Sequence, residues 1–445
     1  MSRPPLSRAL PVPSGRLARL TGFGGVMGSV AGGLAAGGLR ELARGRRPEI
    51  RSLLLTPANA ARLADELARM RGAAMKVGQL VSMDAGEILP PEIAEPLARL
   101  RAEAHHMPPR QLREVLDAEW GVGWQRRFAQ FEVRPIAAAS IGQVHRATLP
   151  DGRRLAVKVQ YPGVRRSIDS DVANLGGLLR MSGVVPRGVD LAPLLEAART
   201  QLHEEADYRG EGARMTAYAA MLVGREDFHV PAVHDELTTD NVLVMDYADS
   251  QPLESLEQAP QETRDQVVGR LLALALRELF DFRVMQTDPN LANYRHDPVT
   301  GRLVLLDFGA VREIPAWLSE GFLSLLAAGR ADDRAALERA ALDLGYLTTG
   351  MPAAQRADLV DLMRLSLEPL RRGGVFDFGS SDMARRVTEA GEALSRRQEA
   401  SHVPPVDALF VQRKLGGMYL MATRLGARID LDRLMAPALG ARAAA

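Results

Sequence analysis

Apolar and polar positions follow three regimes along the chain. Residues 60–83 are rich in good helix formers, Ile93 to Ala104 resumes that character, and Gln111 to Trp120 continues it. Pro57, Pro90-Pro91 and Met107-Pro108-Pro109 punctuate these helices. From residue 128 the period shortens to that of strands. Phe131-Glu132-Val133 leads into two apolar runs, Val144 to Leu149 and Leu155 to Gln160, joined by the turn Pro150-Asp151-Gly152, which predicts a hairpin. Val164 to Met181 predicts a helix, and Leu191 to Met215 a longer one. Phe228 to Val233 and Asn241 to Tyr247 predict two further strands around a Thr239-Asp240-Asn241 turn. Helical spacing returns from Pro252, notably over Val267 to Phe280. It is broken by the strand-like run Leu303 to Leu306, and beyond Val311 it continues almost to Leu425, with residues 371–379 reading as a loop.

Composition changes this picture in two places. Thr21 to Leu39 carries no charge, lies between Arg19 and Arg40, and places Gly24, Gly28 and Gly32 four residues apart, a close-packing pattern. Eight of its nineteen residues are glycine, however, and large apolar side chains are scarce. It reads as a membrane-surface or partner-packing segment, with a single span as the alternative. The other fact concerns lysine. Of 56 basic residues only Lys76, Lys158 and Lys414 are lysine, so each marks a place where a compact ammonium is required and a planar guanidinium does not serve. The net charge of +1 gives no global pull toward nucleic acid, and the absence of cysteine excludes disulfides, thiolate metal sites and cysteine nucleophiles.

Candidate chemistry gathers in Gln286-Thr-Asp-Pro-Asn-Leu-Ala-Asn293 and Leu303-Val-Leu-Leu-Asp-Phe-Gly-Ala310. Asp288 and Asn293 stand five apart, and Asp307 follows Asp288 by nineteen. Phosphoryl transfer needs a carboxylate facing the nucleophile, here Asp288, and oxygen ligands for magnesium, here Asn293 and Asp307. The second Asp377-Phe378-Gly379 lacks such company. The small-residue loop Ala137, Ala138, Ala139, Ser140, Ile141, Gly142 falls where a kinase places its Gly-rich phosphate loop, and Lys158 follows in the second strand after it. A carboxylate on the Leu191–Met215 helix should pair with Lys158. Glu204, Asp207 and Glu211 share a face there, with Glu205 about a quarter turn away. Met245 to Ala248 would form a hinge, with Met245 and Tyr247 at the nucleotide base.

These stretches resemble the UbiB/AarF family of atypical kinase-like proteins, nearest its coenzyme Q branch. The resemblance rests on Arg71 to Gln79, Ala137 to His145, Glu205-Ala-Asp207, Met285 to Asn290, Leu306 to Ala310 and Gln412 to Gly416. It implies an α+β, two-lobed protein-kinase-like fold with an added N-terminal helical extension. The divisions expected are 1–45 (Arg/Pro- and Gly-rich), 46–125 (helical extension), 126–248 (N-lobe) and 249–445 (helical C-lobe). It further implies that Lys158 pairs with Glu211, and that the Lys76–Gln79 helix occludes the substrate cleft with Lys76 held by Glu205 and Asp207. ATP and Mg2+ are the expected cofactors. Membrane lipids or polyprenyl quinone precursors, other ubiquinone biosynthesis proteins and a second copy of the chain are the expected partners, on the cytoplasmic face of a membrane. The activity implied is slow ATP hydrolysis supporting ubiquinone biosynthesis. The alternatives are a small-molecule or lipid kinase with Asp288 as base, and a nucleotide-sensing scaffold. Three departures from the family pattern stand out: Gln286 where many relatives have His, Arg214 where many have Asn, and Leu291-Ala292 inside the Asp-to-Asn segment.

Overall fold

The computed structural model describes residues 106–139, 141–181, 192–397, 402 and 404–440. They fall into two compact units. The first takes the chain to Thr216 and again over Ala232–Tyr247, and the second takes Ala217–Pro231 and everything from Ala248. The expected helices between residues 57 and 104, with Lys76 and Gln79, and the apolar segment 21–39 lie outside the described residues.

In the first unit, helix α1 (Pro109–Trp120) starts with proline in its first turn, where no amide donor is needed, and stops at Gly121, whose φ of +83° disfavours a side chain. Its Leu112, Leu116 and Trp120 recur every four residues and are buried on one face. They join Trp124, Phe128, Leu155, Val157, Val159, Val242 and Val244 in one core. The strands are β1 (Gln130–Phe131), β2 (Ala137–Ala138), β3 (Gly142–Thr148) and β4 (Arg154–Gln160). The predicted β3–β4 hairpin forms, antiparallel from Gly142↔Gln160 to Thr148↔Arg154. Gly152 turns it at φ +88°, and Asp151 Oδ1 accepts from the Arg153 amide at 2.9 Å. Strand periodicity sends Leu155, Val157 and Val159 to the α1 face and Lys158 to the other.

Helices α2 (Val164–Met181), α3 (Ala192–Glu205) and α4 (Tyr208–Met221) follow. The single helix expected over Leu191 to Met215 is therefore two. Asp207 sits between them, and its Oδ1 accepts from the Gly210 amide at 3.1 Å, which caps α4 and sets aside the shared face proposed for Glu204, Asp207 and Glu211. The chain leaves to form β5 (Phe228–His229) in the second unit and returns as β6 (Val242–Asp246), completing the order β1-β3-β4-β6 with β2 on β3. The expected partner strand before β6 is reduced to an isolated bridge between Val233 and Met245, because Phe228 and His229 pair in parallel with Leu303 and Val304 instead.

The second unit continues with β7 (Gln251–Pro252) and α5 (Gln261–Arg277), which runs on into a π-helical turn, Glu278–Phe282. Arg283, at φ +51°, redirects the chain into β8 (Val284–Gln286). Then come β9 (Tyr294–His296), β10 (Leu303–Leu305) and β11 (Val311–Glu313). The helical remainder comprises α6 (Ala316–Ala331), α7 (Arg334–Asp343), α8 (Ala353–Ser366) and α9 (Glu368–Arg372), strand β12 (Val375–Asp377), α10 (Met383–Arg397), α11 (Val406–Arg424), strand β13 (Arg428–Asp430) and α12 (Leu431–Gly440). Leu279, Met285, Leu318, Phe322, Leu344 and Val411 belong to its core. The supposed loop 371–379 contains β12, which exists through pairing with the distant β13, Phe376 opposite Ile429. Among the described residues no helix is long and apolar enough to cross a membrane.

Candidate functional site

The first unit builds its part of the site on the face of β4 opposite the core. Lys158 Nζ donates to both carboxylate oxygens of Glu211 at 2.8 Å, with the two side chains 11% and 1% exposed. The ammonium also lies 5.1 Å from the centre of the Tyr208 ring. Removing either ion from so dry a place strands the other, so the pair fixes the lysine against α4. Of the acidic residues weighed for this partner, Glu211 is the one that meets Lys158. Glu205 is buried at the end of α3 and Asp207 caps α4, while Lys76, their expected partner, is outside the described residues.

The alanine-rich stretch is a tight hairpin rather than an open loop. Ala137 and Ala138 pair with Val144 and Gln143, and the Ala139 amide donates to the Gly142 carbonyl at 2.8 Å. Ile141 is buried, and Ser140 is not among the described residues. Gly142 has no room for a side chain, since a Cβ would lie 2.5 Å from the Val159 carbonyl oxygen. Beside it, His145 is fully buried: Gln143 Nε2 meets its Nε2 at 2.9 Å, and its Nδ1 meets the Glu132 carbonyl at 2.8 Å. Burial pushes its pKa down to about 4, partly opposed by the Glu132 carbonyl, with the nearby His106 lowering it further. Met245 is buried in β6 opposite Ala156. Tyr247 ends the first unit. Its hydroxyl accepts from Arg146 at 2.7 Å, and Arg146 lies over its ring.

The second unit ties the two motif stretches together at both ends. Gln286 Nε2 donates to the carbonyls of Leu306, at 2.7 Å, and of Asp307. A primary amide carries two donors, so glutamine suits a position flanked by two carbonyls. Thr287 donates its amide and its hydroxyl to the Ala310 carbonyl, each at 2.9 Å. Asn293 is buried. Its Nδ2 donates to the Asp288 carbonyl at 3.3 Å, and its own carbonyl accepts from the Leu306 amide at 2.8 Å. Leu291 and Ala292 form a short helical turn whose Ala292 amide is capped by Asn290 Oδ1. Asp307 adopts φ +60°, uncommon for a side-chain-bearing residue and typical of functional turns. Its Oδ1 accepts from the Gly309 amide at 3.2 Å, and Phe308 is buried against Tyr218, ring centres 5.1 Å apart.

Lys414, with Glu278, Tyr294 and Arg413 around it, completes this half. Lys414 is buried: its Nζ donates to the Gln286 carbonyl at 2.8 Å and to Tyr294 Oη at 2.6 Å, and lies 3.2 Å from Glu278 Oε2. Burial alone would lower its pKa. Glu278, then Tyr294, outweigh that and raise it above the ordinary lysine value. Glu278 also accepts from Tyr218 at 2.7 Å and from the Gln286 amide at 2.9 Å. Tyr294, buried, has its pKa pushed up to about 12. The scarcity of lysine pointed to Lys414. Nothing local marked Glu278, which sits in the π turn. Arg413 falls in the Gln412 to Gly416 stretch of the resemblance, but nothing in the sequence gave its partner: its Nη2 meets Asp288 Oδ1 at 3.3 Å.

Asp307 and Asn293 are hard oxygen donors, as magnesium requires. Among the described residues no group of three or more His, Asp or Glu could hold a metal. Residues 99–341 match the ABC1 atypical kinase-like domain. The chain is 38% identical to the Saccharomyces cerevisiae protein named atypical kinase COQ8, mitochondrial, over 95% of this chain and 84% of that one. It is 39% identical to rat atypical kinase COQ8B, mitochondrial, over 95% and 80%. A solved Mycobacterium tuberculosis structure, the Rv3197–erythromycin complex, superposes with a TM-score of 0.60 at 25% identity, covering 85% of this chain and 94% of that one. The architecture is the two-lobed kinase-like α+β fold, and the class of enzyme is a phosphotransferase. The chain thus bears out the UbiB/AarF resemblance and belongs to the ABC1 atypical kinase-like family.

Proposed function

We propose that this chain binds Mg-ATP, turns it over slowly and supports ubiquinone biosynthesis at a membrane surface by ATP-driven handling of lipid quinone precursors. The single observation that carries the reading is the double tie between the Asp288–Asn293 segment and the Asp307 turn, through Gln286 and Thr287. Such a tie holds a base and two oxygen ligands on one frame. Lys158, held by Glu211, is the cation for nucleotide phosphates. Ala139, Ile141 and Gly142 would lie along them, with Met245 and Tyr247 toward the base. Asp288 orients the attacking oxygen and takes its proton. Asn293 and Asp307 would hold magnesium, which when bound neutralises charge on the phosphoryl oxygens. The short alanine hairpin offers fewer free amides than an open glycine loop, which accords with slow turnover.

The names of the COQ8 relatives support the kinase-like assignment, and the family resemblance supports the quinone pathway. The Thr21–Leu39 segment is the natural candidate for membrane contact. Lys76 with Glu205 and Asp207 would close the site to protein substrates. Phosphate release from Mg-ATP by the purified chain, beside nucleotide binding by calorimetry, tests the reading. Asp307→Asn should cut turnover by roughly 100-fold or more, and Glu211→Gln should weaken nucleotide binding. Wild-type rates in Asp307→Asn would refute the metal role. Labelled phosphate in a lipid extract, in place of free phosphate, would turn the reading into that of a lipid kinase.

A further inference from the structure

Phosphoryl transfer draws on cations positioned at the reacting groups, yet Pro289-Asn290-Leu291-Ala292, between Asp288 and Asn293, contains none. A cation reaches Asp288 from 125 residues further along. Arg413, on α11, points Nη2 at Asp288 Oδ1, 3.3 Å away, with its side chain 1% exposed and that of Asp288 16% exposed. Its Nε and Nη1 are shielded from solvent and have no hydrogen-bond partner among the described residues. The guanidinium lies 5.8 Å from the centre of the Phe410 ring. A buried guanidinium bound at one of three nitrogens is a poor packing element, since burial without pairing is unfavourable. Among the described residues its one hydrogen-bonded contact is the candidate base.

The same helix grips the segment on either side of Asp288. Lys414, the next residue, donates to the Gln286 carbonyl. Gly417, one turn beyond Arg413, lies so close to Pro289 that a Cβ there would come within 2.2 Å of the proline Cβ. Residues 286, 288 and 289 are thus each set by α11, through a carbonyl, a carboxylate and a ring.

We propose that Arg413 is a positioning residue for Asp288: it holds the carboxylate in its working orientation and supplies the cation that the Asp288–Asn293 segment lacks. This rests on the reading of Asp288 given above. Mg-ATP turnover and nucleotide affinity are measured on the full chain for wild type, Arg413→Gln, Arg413→Lys, Asp288→Asn and the Arg413→Gln/Asp288→Asn double variant. Misplacing a reacting group by about an ångström costs around 100-fold, and that is the loss of kcat expected for Arg413→Gln, with nucleotide affinity within about twofold. Arg413→Lys keeps the charge and should recover part of the rate. In the Asp288→Asn background, Arg413→Gln should cost nothing more, because the carboxylate through which it acts is gone. Equal losses on both backgrounds, or affinity falling in step with kcat, would overturn the proposal. Wild-type turnover by Asp288→Asn would instead overturn the reading of Asp288. If Arg413→Gln does not fold, the same cycle is run with Arg413→Lys.

Discussion

At the scale of single residues, burial decides what each charged group does. The same lysine chemistry is used twice: Lys158 against Glu211 in the first unit, Lys414 against Glu278 in the second, both shielded from water. The scarcity of lysine in the sequence was a usable signal, because both described lysines are buried against a carboxylate. His145 shows the other effect of burial. Its folded pKa of about 4 lies below its ordinary 6.5, because the imidazolium is disfavoured inside the protein. The unfolded chain therefore binds a proton that the folded chain refuses between those two values. The stability contributed is complete above about pH 6.5 and is lost as pH falls toward 4, by on the order of 3 kcal/mol. Urea unfolding at pH 7, 5.5 and 4.5 checks this. The wild type should lose stability across that range, and His145→Gln should show a shallower dependence.

At the scale of elements, the legible parts were those with strong local period: the β3–β4 hairpin, α2, α5 and the strand-like run that becomes β10 before Asp307. The illegible parts were set by contacts distant in sequence or by a single cap. Asp207 ends one helix and starts the next with one side-chain hydrogen bond, which helix propensity over Leu191 to Met215 does not reveal. Strand β12 has three residues and needs β13, 51 positions later, to exist at all. Arg413 reaches Asp288 across 125 residues. The alanine hairpin is sensitive to a single added methyl group. Gly142→Ala would drive a Cβ against the Val159 carbonyl and the Tyr208 hydroxyl, 2.5 and 2.7 Å away. Backbone cannot yield as a side-chain tip does, so the expected cost is about 1–3 kcal/mol, read as a lower urea midpoint. Gly152→Ala would be the wrong control, since its φ of +88° strains any side chain. Gly177→Ala, which meets nothing within 4 Å, should leave the midpoint close to wild type or raise it.

At the scale of the whole molecule, the chain serves two units by crossing between them after Thr216, Pro231 and Tyr247. Helix α4 spans the first crossing. Its first turn carries Glu211, and its later Tyr218 binds Glu278 and packs on Phe308. The net charge of +1 gives the molecule no strong overall field of either sign. The central claim, that the metal–nucleotide machinery serves quinone synthesis, is tested most directly by the ubiquinone content of cells lacking this protein, rescued with wild type or Asp307→Asn at matched expression. The account predicts that wild type restores ubiquinone and Asp307→Asn does not. Ubiquinone restored equally by both would contradict it.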